Sequence, residues 1–187
     1  MNVTVFEAIN ITKKYRNTLA LNQVSMSVMQ GDIYGFIGEN GAGKTTMIRL
    51  LTGLAEPTTG KIALFGESNK KLAKQRERIG CIIESPSLYL DMTAYENLEV
   101  QRLQRGIPGK GCIDNALALV GLKDTGKKKA KDFSLGMRQR LALAIALLGN
   151  PEFLVLDEPI NGLDPTGIIE LRNFCLLYTS PSPRDTR

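Results

Sequence analysis

A glycine-rich segment constrains the fold of this sequence more than any other feature. Gly38–Thr45 reads Gly-Glu-Asn-Gly-Ala-Gly-Lys-Thr, which fits the spacing G-x-x-x-x-G-K-[ST] between an apolar run and a helix. Glycines allow a tight turn whose N–H groups face phosphate oxygens, and the helix N-terminus adds positive charge. Lys44 supplies a cation for the terminal phosphates, and the Thr45 hydroxyl can ligate Mg²⁺. A chance glycine turn is the alternative. The predicted cofactor-binding residues here are Gly38, Asn40, Gly41, Gly43, Lys44, Thr45 and Thr46.

Two consecutive acids follow an apolar stretch later in the chain. Phe153–Leu156 is typical of a short buried strand, and Asp157 and Glu158 come directly after it. By itself, an acid pair in this position is more often a helix N-cap or a turn. Combined with the glycine loop, it predicts the second half of a nucleotide site, because phosphoryl transfer needs mainly positioning and charge neutralisation. We expect Asp157 to hold the metal, directly or through water, and Glu158 to act as general base.

Apolar periodicity predicts strands that alternate with helices. The predicted strands are Val3–Phe6, Val24–Val28, Ile33–Ile37, Lys61–Phe65, Ile79–Glu84 and Phe153–Leu156. The predicted helices are Lys44–Leu51, Lys70–Arg78, Thr93–Arg105, the amphipathic segment Ile113–Val120, Ser134–Leu148 and one that begins with Pro165–Phe174. Ile33–Ile37 is expected to be buried on both faces. Thr93 and Glu96 have the spacing of a capping box. The alternation indicates an α/β domain with a parallel sheet.

Composition excludes several classes of function. The 187 residues include no histidine, so no Ser-His-Asp or Cys-His nucleophile and no His-ligated metal site can form. Cys81, Cys112 and Cys175 form no CxxC pair, which favours a reducing compartment. The apolar run Leu141–Leu148 is far shorter than the about 20 residues of a membrane span. Two lysine-rich runs contribute to the net charge of +5 but lack interleaved aromatic residues, so we interpret them as solvated faces.

Additional motifs of the chain resemble those of a known protein family. Phe133–Arg140 resembles the signature of ATP-binding cassette (ABC) transporter nucleotide-binding subunits, although Leu135 and Met137 depart from the usual Gly and Gln. Asn161–Asp164 matches the loop that follows the acid pair in that family, and the likeness extends from about Val3 to Phe174. It implies a P-loop NTPase cassette with an N-terminal antiparallel β subdomain, a parallel core sheet and a helical signature subdomain at about 85–150.

The resemblance also implies site residues, with ATP and Mg²⁺ as cofactors. Ser134 and Gly136 are expected to cap the γ-phosphate bound by an opposite subunit, and Asp164 to contact that subunit. Tyr15 lies where the family places an aromatic ring that stacks on adenine, although an exposed loop tyrosine explains it nearly as well. Glu84 replaces the usual glutamine near the metal; a carboxylate attracts Mg²⁺ but cannot donate a hydrogen bond.

The sequence around Glu84–Tyr89 and Thr93–Leu98 resembles the bacitracin and lantibiotic immunity branch. This implies an ATPase that powers export of, or immunity to, peptide antibiotics at the cytoplasmic face of the cell membrane. The implied partners are a transmembrane permease subunit and a second ATP-binding subunit, identical or different; no nucleic acid is expected. An ABC ATPase of translation or DNA repair, or an inactive ATP-binding fragment, remains an alternative. A GTPase fits less well because no Asn-Lys-x-Asp motif is present.

Residues 175–187 break the α/β pattern. Thr-Ser-Pro-Ser-Pro cannot continue a helix and no strand follows, so we interpret these residues as a non-native or disordered tail after an incomplete ABC domain, 1–174. Family members continue with a strand that carries a switch histidine, so C-terminal strands are expected to be missing here. We therefore expect an unpaired apolar sheet edge, weak ATP binding and poor hydrolysis by this chain.

Overall fold

Six strands and six α-helices form the part of the chain that the computed structural model describes, residues 3–83, 87–160, 163 and 165–179. The strands are β1 (Thr4–Tyr15), β2 (Thr18–Met29), β3 (Thr59–Leu64), β4 (Glu67–Ser68), β5 (Ile79–Ile82) and β6 (Phe153–Leu156). The helices are α1 (Lys44–Thr52), α2 (Leu72–Arg76), α3 (Ala94–Gln104), α4 (Gly111–Leu119), α5 (Leu135–Leu147) and α6 (Pro165–Thr179). Contacts divide the chain into a first unit, Met1–Glu77 with Glu170–Arg187, and a second unit, Arg78–Ile169.

The first unit contains a four-stranded antiparallel sheet with the order β2-β1-β3-β4. The two predicted N-terminal strands are confirmed but are far longer than expected, and they meet in a hairpin that pairs Tyr15 with Thr18. Arg16 takes a left-handed φ of 46° in the two-residue turn between them. This sheet is the antiparallel β subdomain that the resemblance implies.

An irregularity at Asn10 controls which side chains of β1 face the core. Ala8 pairs with Met26 and Ile11 with Val24, so β1 has one residue more than β2 between these two pairs. Asn10 has a φ of 49°, and its N–H donates to Ser25 Oγ over 2.8 Å. Because side chains alternate along a strand, the extra residue turns Ile11 to the same buried face as Ala8.

The second unit pairs β5 with β6 in parallel, from Ile79 opposite Phe153 to Ile82 opposite Leu156. An Arg78–Glu152 ion pair of 2.6 Å precedes this ladder, and it lowers the pKa of the Glu152 carboxyl. The bounds of β6 are those expected from sequence. Helices α3, α4 and α5 pack together, and their fully buried side chains include Leu98, Ile113 and Leu141. The parallel pairing and the helical packing confirm the predicted fold class.

The predicted starts of two helices are confirmed, and each of the two helices has an N-cap. The Thr93 hydroxyl accepts from Glu96 N–H over 3.2 Å, and Glu96 Oε2 accepts from Thr93 N–H over 2.7 Å, which completes the capping box of α3. The bonds that Thr93 N–H and the Thr93 hydroxyl donate to the Glu96 carboxylate lower the pKa of that carboxyl below its ordinary value. Ser134 caps α5 in the same manner, since its hydroxyl accepts from Met137 N–H over 3.2 Å.

The expectation of a buried strand over Ile33–Ile37 is wrong for this structure. The segment has no strand geometry, Ile33, Tyr34 and Phe36 are exposed, and Ile37 is 94% exposed. A strand buried on both faces needs hydrogen-bonded neighbours as well as apolar side chains, and none of the described strands pairs with this segment. Apolar content alone therefore did not determine its conformation.

Other predicted elements are present in the structure but begin or end at different residues. The charged segment Lys70–Arg78 forms a 3₁₀ turn at Asn69–Lys71 and then the short helix α2, rather than one helix. Helix α6 continues past Phe174 to Thr179, and residues 180–187 of the predicted tail lie outside the described residues. Among the helices of the described part, none is long and apolar enough to cross a membrane.

Asn97 is a buried polar residue that organises the loop before α3. It is fully buried, and its Oδ1 accepts from Tyr89 N–H over 2.8 Å. Its Nδ2 donates to the carbonyl oxygens of Tyr89 and Thr93 over 3.0 and 2.9 Å. One amide therefore satisfies backbone groups on both sides of the turn that leads into the capping box.

Replacing Asn97 by alanine is expected to destabilise the protein by about 2 kcal/mol, because backbone groups around Tyr89 lose their partner. Urea unfolding measures this free energy. Gln104→Ala, at the exposed end of the same helix, is the control and should stay within about 0.5 kcal/mol of the parent. Equal stability of the two variants would contradict the role of Asn97.

Candidate functional site

The predicted phosphate loop leads directly into α1, and the Lys44 side chain bonds back to the loop backbone. Lys44 is the first residue of the helix, and its Nζ donates to the carbonyl oxygens of Gly38 and Glu39 over 2.7 and 2.9 Å. Ala42 N–H also donates to Glu39 O over 3.1 Å. These bonds hold an ammonium group beside the N-terminus of a nine-residue helix, where the helix dipole is also positive.

The remaining loop residues differ in their exposure. Gly38, Asn40 and Gly41 are exposed, whereas Thr45 and Thr46 are half-buried in the first turn of α1. The loop backbone and the Thr45 hydroxyl therefore supply neutral donors and an oxygen ligand next to the Lys44 ammonium. This is a donor set that suits a phosphate group with a divalent cation.

Gly43 is the residue at which the loop touches the sheet. It precedes α1 with a left-handed φ of 91°, and a Cβ here would lie 2.5 Å from Ala20 O and 2.7 Å from Leu21 Cδ2. Gly41 has a similar φ of 85°, but no atom lies within 4 Å of its Cβ position. Gly43 is therefore required both for its backbone conformation and for the close approach to β2.

Tyr15 ends β1 in the same unit as the loop. Its side chain is exposed, and Lys13 Nζ lies 4.7 Å from the centre of its ring. Lys13 Nζ also donates to Glu56 O over 2.6 Å, which fixes the cation in place. The ring is thus available at the surface and has a cation–π partner. Stacking on adenine stays a prediction.

The two acids after β6 have opposite environments. Asp157 N–H donates to Ile82 O over 2.9 Å, which extends the parallel ladder, and the Asp157 side chain is only 7% exposed. Glu158 is exposed and has a left-handed φ of 47° directly before Pro159. The ladder therefore fixes the first carboxylate against the sheet, while the second reaches solvent. The described residues contain no cluster of three or more acidic or cysteine side chains of the kind that encloses a metal ion.

The start of α5 carries Ser134 and Gly136. Ser134 is the exposed N-cap, Gly136 is half-buried, and Leu135 between them is exposed. Helix α5 is thirteen residues long, and its N-terminal turn carries the positive partial charge of the helix dipole.

The structure brings together only some of the predicted residues. The start of α5 and the Asp157–Pro159 turn meet in the second unit, where Gln139 Nε2 donates to Pro159 O over 3.1 Å. The phosphate loop and Tyr15 belong to the first unit. Glu84 and Asp164 lie outside the described residues.

Sequence reasoning assigned no role to Gln139 or Asn97. Gln139 stood inside the signature segment, but its partner is 20 residues away and no local pattern indicates that contact. Asn97 carried a weak signal, a short polar amide inside a helix that is otherwise well capped.

Comparison with known proteins extends these observations. A family profile described as ABC transporter matches residues 21–161. The bacitracin transport ATP-binding protein BcrA of Bacillus licheniformis is 50% identical over 170 residues, which cover 90% of this chain and 56% of BcrA. The lantibiotic transport ATP-binding protein SrtF of Streptococcus pyogenes is 44% identical, with 91% and 73% coverage. The chain thus spans little more than half the length of BcrA.

A solved structure agrees with these matches. That of cbiO1 from Clostridium perfringens, part of the ABC transporter complex cbiONQ, superposes with a TM-score of 0.84 at 27% identity, covering 95% of this chain and 74% of that one. The resemblance stated from the signature, the acid pair and the glycine loop is thereby confirmed, as is the likeness to the bacitracin and lantibiotic branch. The chain belongs to the ABC transporter family and forms one of its ATP-binding domains.

Proposed function

We propose that the protein binds and hydrolyses ATP as a subunit of an ABC transporter that exports, or confers immunity to, peptide antibiotics of the bacitracin or lantibiotic type. The observation that carries this proposal is the phosphate loop, in which Lys44 is held by the carbonyl oxygens of Gly38 and Glu39 at the start of α1. The names of BcrA and SrtF support the substrate class.

Phosphate binding follows from groups that are already in place. Lys44 can exchange its two carbonyl partners for the more strongly attracting β- and γ-phosphate oxygens, because charge-assisted bonds to anions are stronger. N–H groups of the loop and of the first turn of α1 then bind the remaining oxygens. The loop needs little rearrangement for this, because Gly43 already fixes it against β2.

The oxygen donors fit Mg²⁺, which usually takes one or two protein ligands and completes its shell with phosphate oxygens and water. Thr45 and Asp157 are the residues proposed to hold it, with Glu84 near the same shell. When bound, Mg²⁺ neutralises charge that develops on the phosphates. Glu158 is exposed, so its carboxylate can accept a proton from a water molecule that attacks the γ-phosphate.

Nucleotide binding by one chain is proposed to recruit a second ATP-binding subunit, identical or different. Ser134 and the Gly136 backbone at the N-terminus of α5 would cap the γ-phosphate held by that subunit, and Asp164 would contact it. Tyr15 would stack on adenine. A transmembrane permease subunit would then place the assembly at the cytoplasmic face of the membrane, and cbiO1, itself part of a transporter complex, supports this arrangement.

A second candidate is an ATP-binding chain with little turnover. The exposed apolar segment Ile33–Ile37, which leads directly into the phosphate loop, favours it. A catalytic loop that follows an unpaired segment is held less rigidly than one that follows a paired strand. Measuring both ATP binding and ATP turnover distinguishes the two candidates, because the second predicts binding with little hydrolysis.

Replacing Lys44 by alanine is expected to weaken ATP binding at least about tenfold, because a charge-assisted bond is lost. Isothermal titration with ATP and Mg²⁺ measures the Kd. Lys61→Ala, an exposed lysine on β3, is the matched control and should bind ATP as the parent does. Unchanged affinity of Lys44→Ala would reject the proposed phosphate site.

Glu158→Gln is expected to lower kcat about 100-fold or more while leaving the Kd for ATP within twofold, because an amide cannot act as general base. Phosphate release under saturating ATP measures kcat. Parental turnover by this variant would reject the role of Glu158 even if nucleotide binding is normal.

Alanine substitutions at two loop glycines separate backbone strain from steric overlap. Gly41→Ala is expected to cost about 1–2 kcal/mol, because only the left-handed conformation is penalised. Gly43→Ala should cost about 1–3 kcal/mol more, because its Cβ also overlaps Ala20 and Leu21. Urea unfolding measures both values. Equal destabilisation would show that contact with β2 does not position the loop.

A further inference from the structure

The Glu158 turn has a backbone conformation that needs support from its surroundings. Glu158 is not glycine, yet its φ is 47°, and it precedes Pro159. Left-handed backbone is costly for a residue with a Cβ, and a following proline restricts the backbone further. Such conformations persist only where neighbouring structure holds them.

Support on the N-terminal side comes from the sheet. Asp157 N–H donates to Ile82 O over 2.9 Å, so the ladder between β5 and β6 continues to the residue before Glu158. This bond fixes where the turn begins. It does not fix where the chain leaves the turn, since Pro159 has no N–H and offers only its carbonyl oxygen.

Support on the C-terminal side comes from α5. Gln139 Nε2 donates to that Pro159 carbonyl over 3.1 Å, from a partly buried position in the second turn of the helix. The chain also comes close to α5 one helical turn earlier. Leu163 Cδ2 lies 3.9 Å from the position that a Cβ would take on Gly136. The chain after Glu158 is thus held against the same helix turns that present Ser134 and Gly136.

We infer that Gln139 is a positioning residue that holds the Glu158 carboxylate in its working orientation by tying the Glu158–Pro159 turn to the start of α5. The inference rests on the proposed function, in which Glu158 is the general base. As a consequence, two groups shift together. One is the N-terminus of α5, which is proposed to cap the nucleotide of a second subunit, and the other is Glu158, the proposed general base of this chain. Binding at the start of α5 therefore affects hydrolysis, with the hydrogen bond from Gln139 to Pro159 as part of the connection.

Three variants of the protein test this. Gln139→Met keeps the length of the side chain and removes the donor, so kcat should fall about tenfold or more, because small displacements of a catalytic group are costly. The KM for ATP should change less than twofold. Gln139→Lys keeps a donor and should recover a large part of the lost kcat. Gln101→Met, the same change at a half-buried position of α3, should leave kcat and KM unchanged.

Phosphate release at varied ATP concentration gives kcat and KM, and thermal melting reports stability. If Gln139→Met has the kcat of the parent, the inference is overturned. It is also overturned if the loss of activity appears as a raised KM for ATP. A loss of kcat that Gln139→Lys does not recover, together with a lowered Tm in both variants, identifies a structural role and also overturns it. Glu158→Gln is measured in parallel: if it retains parental turnover, the proposed role of Glu158 as general base fails and the inference fails with it, whereas an inactive Glu158→Gln beside a fully active Gln139→Met rejects the role of Gln139 alone.

Discussion

The contact between Gly43 and β2 is the constraint on which the phosphate loop depends. No side chain larger than hydrogen fits between this residue and the Ala20 carbonyl, so the loop can lie on the sheet only with glycine here. The contact fixes the start of α1, and thereby places the Lys44 ammonium and the helix dipole together. The proposed anion site would therefore rely mainly on backbone geometry and need few charged side chains.

The second unit places two adjacent carboxylates in different surroundings. The ladder between β5 and β6 buries Asp157, and the left-handed conformation of the next residue turns Glu158 outward. A buried carboxylate suits a metal ion that compensates its charge, whereas an exposed one can exchange protons with water. The hydrogen bond from Gln139 joins this arrangement to the start of α5.

Local signals in the sequence predicted local structure well. The capping box of Thr93 and Glu96 is confirmed, because it depends on two residues that are three positions apart. The strand Phe153–Leu156 is confirmed as well, and its formation also depends on the distant partner strand β5. Long-range contacts carried no comparable signal, so the roles of Asn97 and Gln139 were missed. Ile33–Ile37 was predicted wrongly for the same reason, since a buried strand exists only if other strands pair with it.

By itself, the sequence determined the residue types of the candidate site: a glycine-rich segment with Lys44 and Thr45, Ser134 in the signature segment, and an acid pair after an apolar run. These are covalent facts about residue type and spacing, and they sufficed to identify the family. Only the tertiary structure decided which of the two acids is buried, which backbone groups hold Lys44, and which helix supports the Glu158 turn. Burial and hydrogen bonding between distant segments arise when the chain packs, so residue spacing alone cannot specify them.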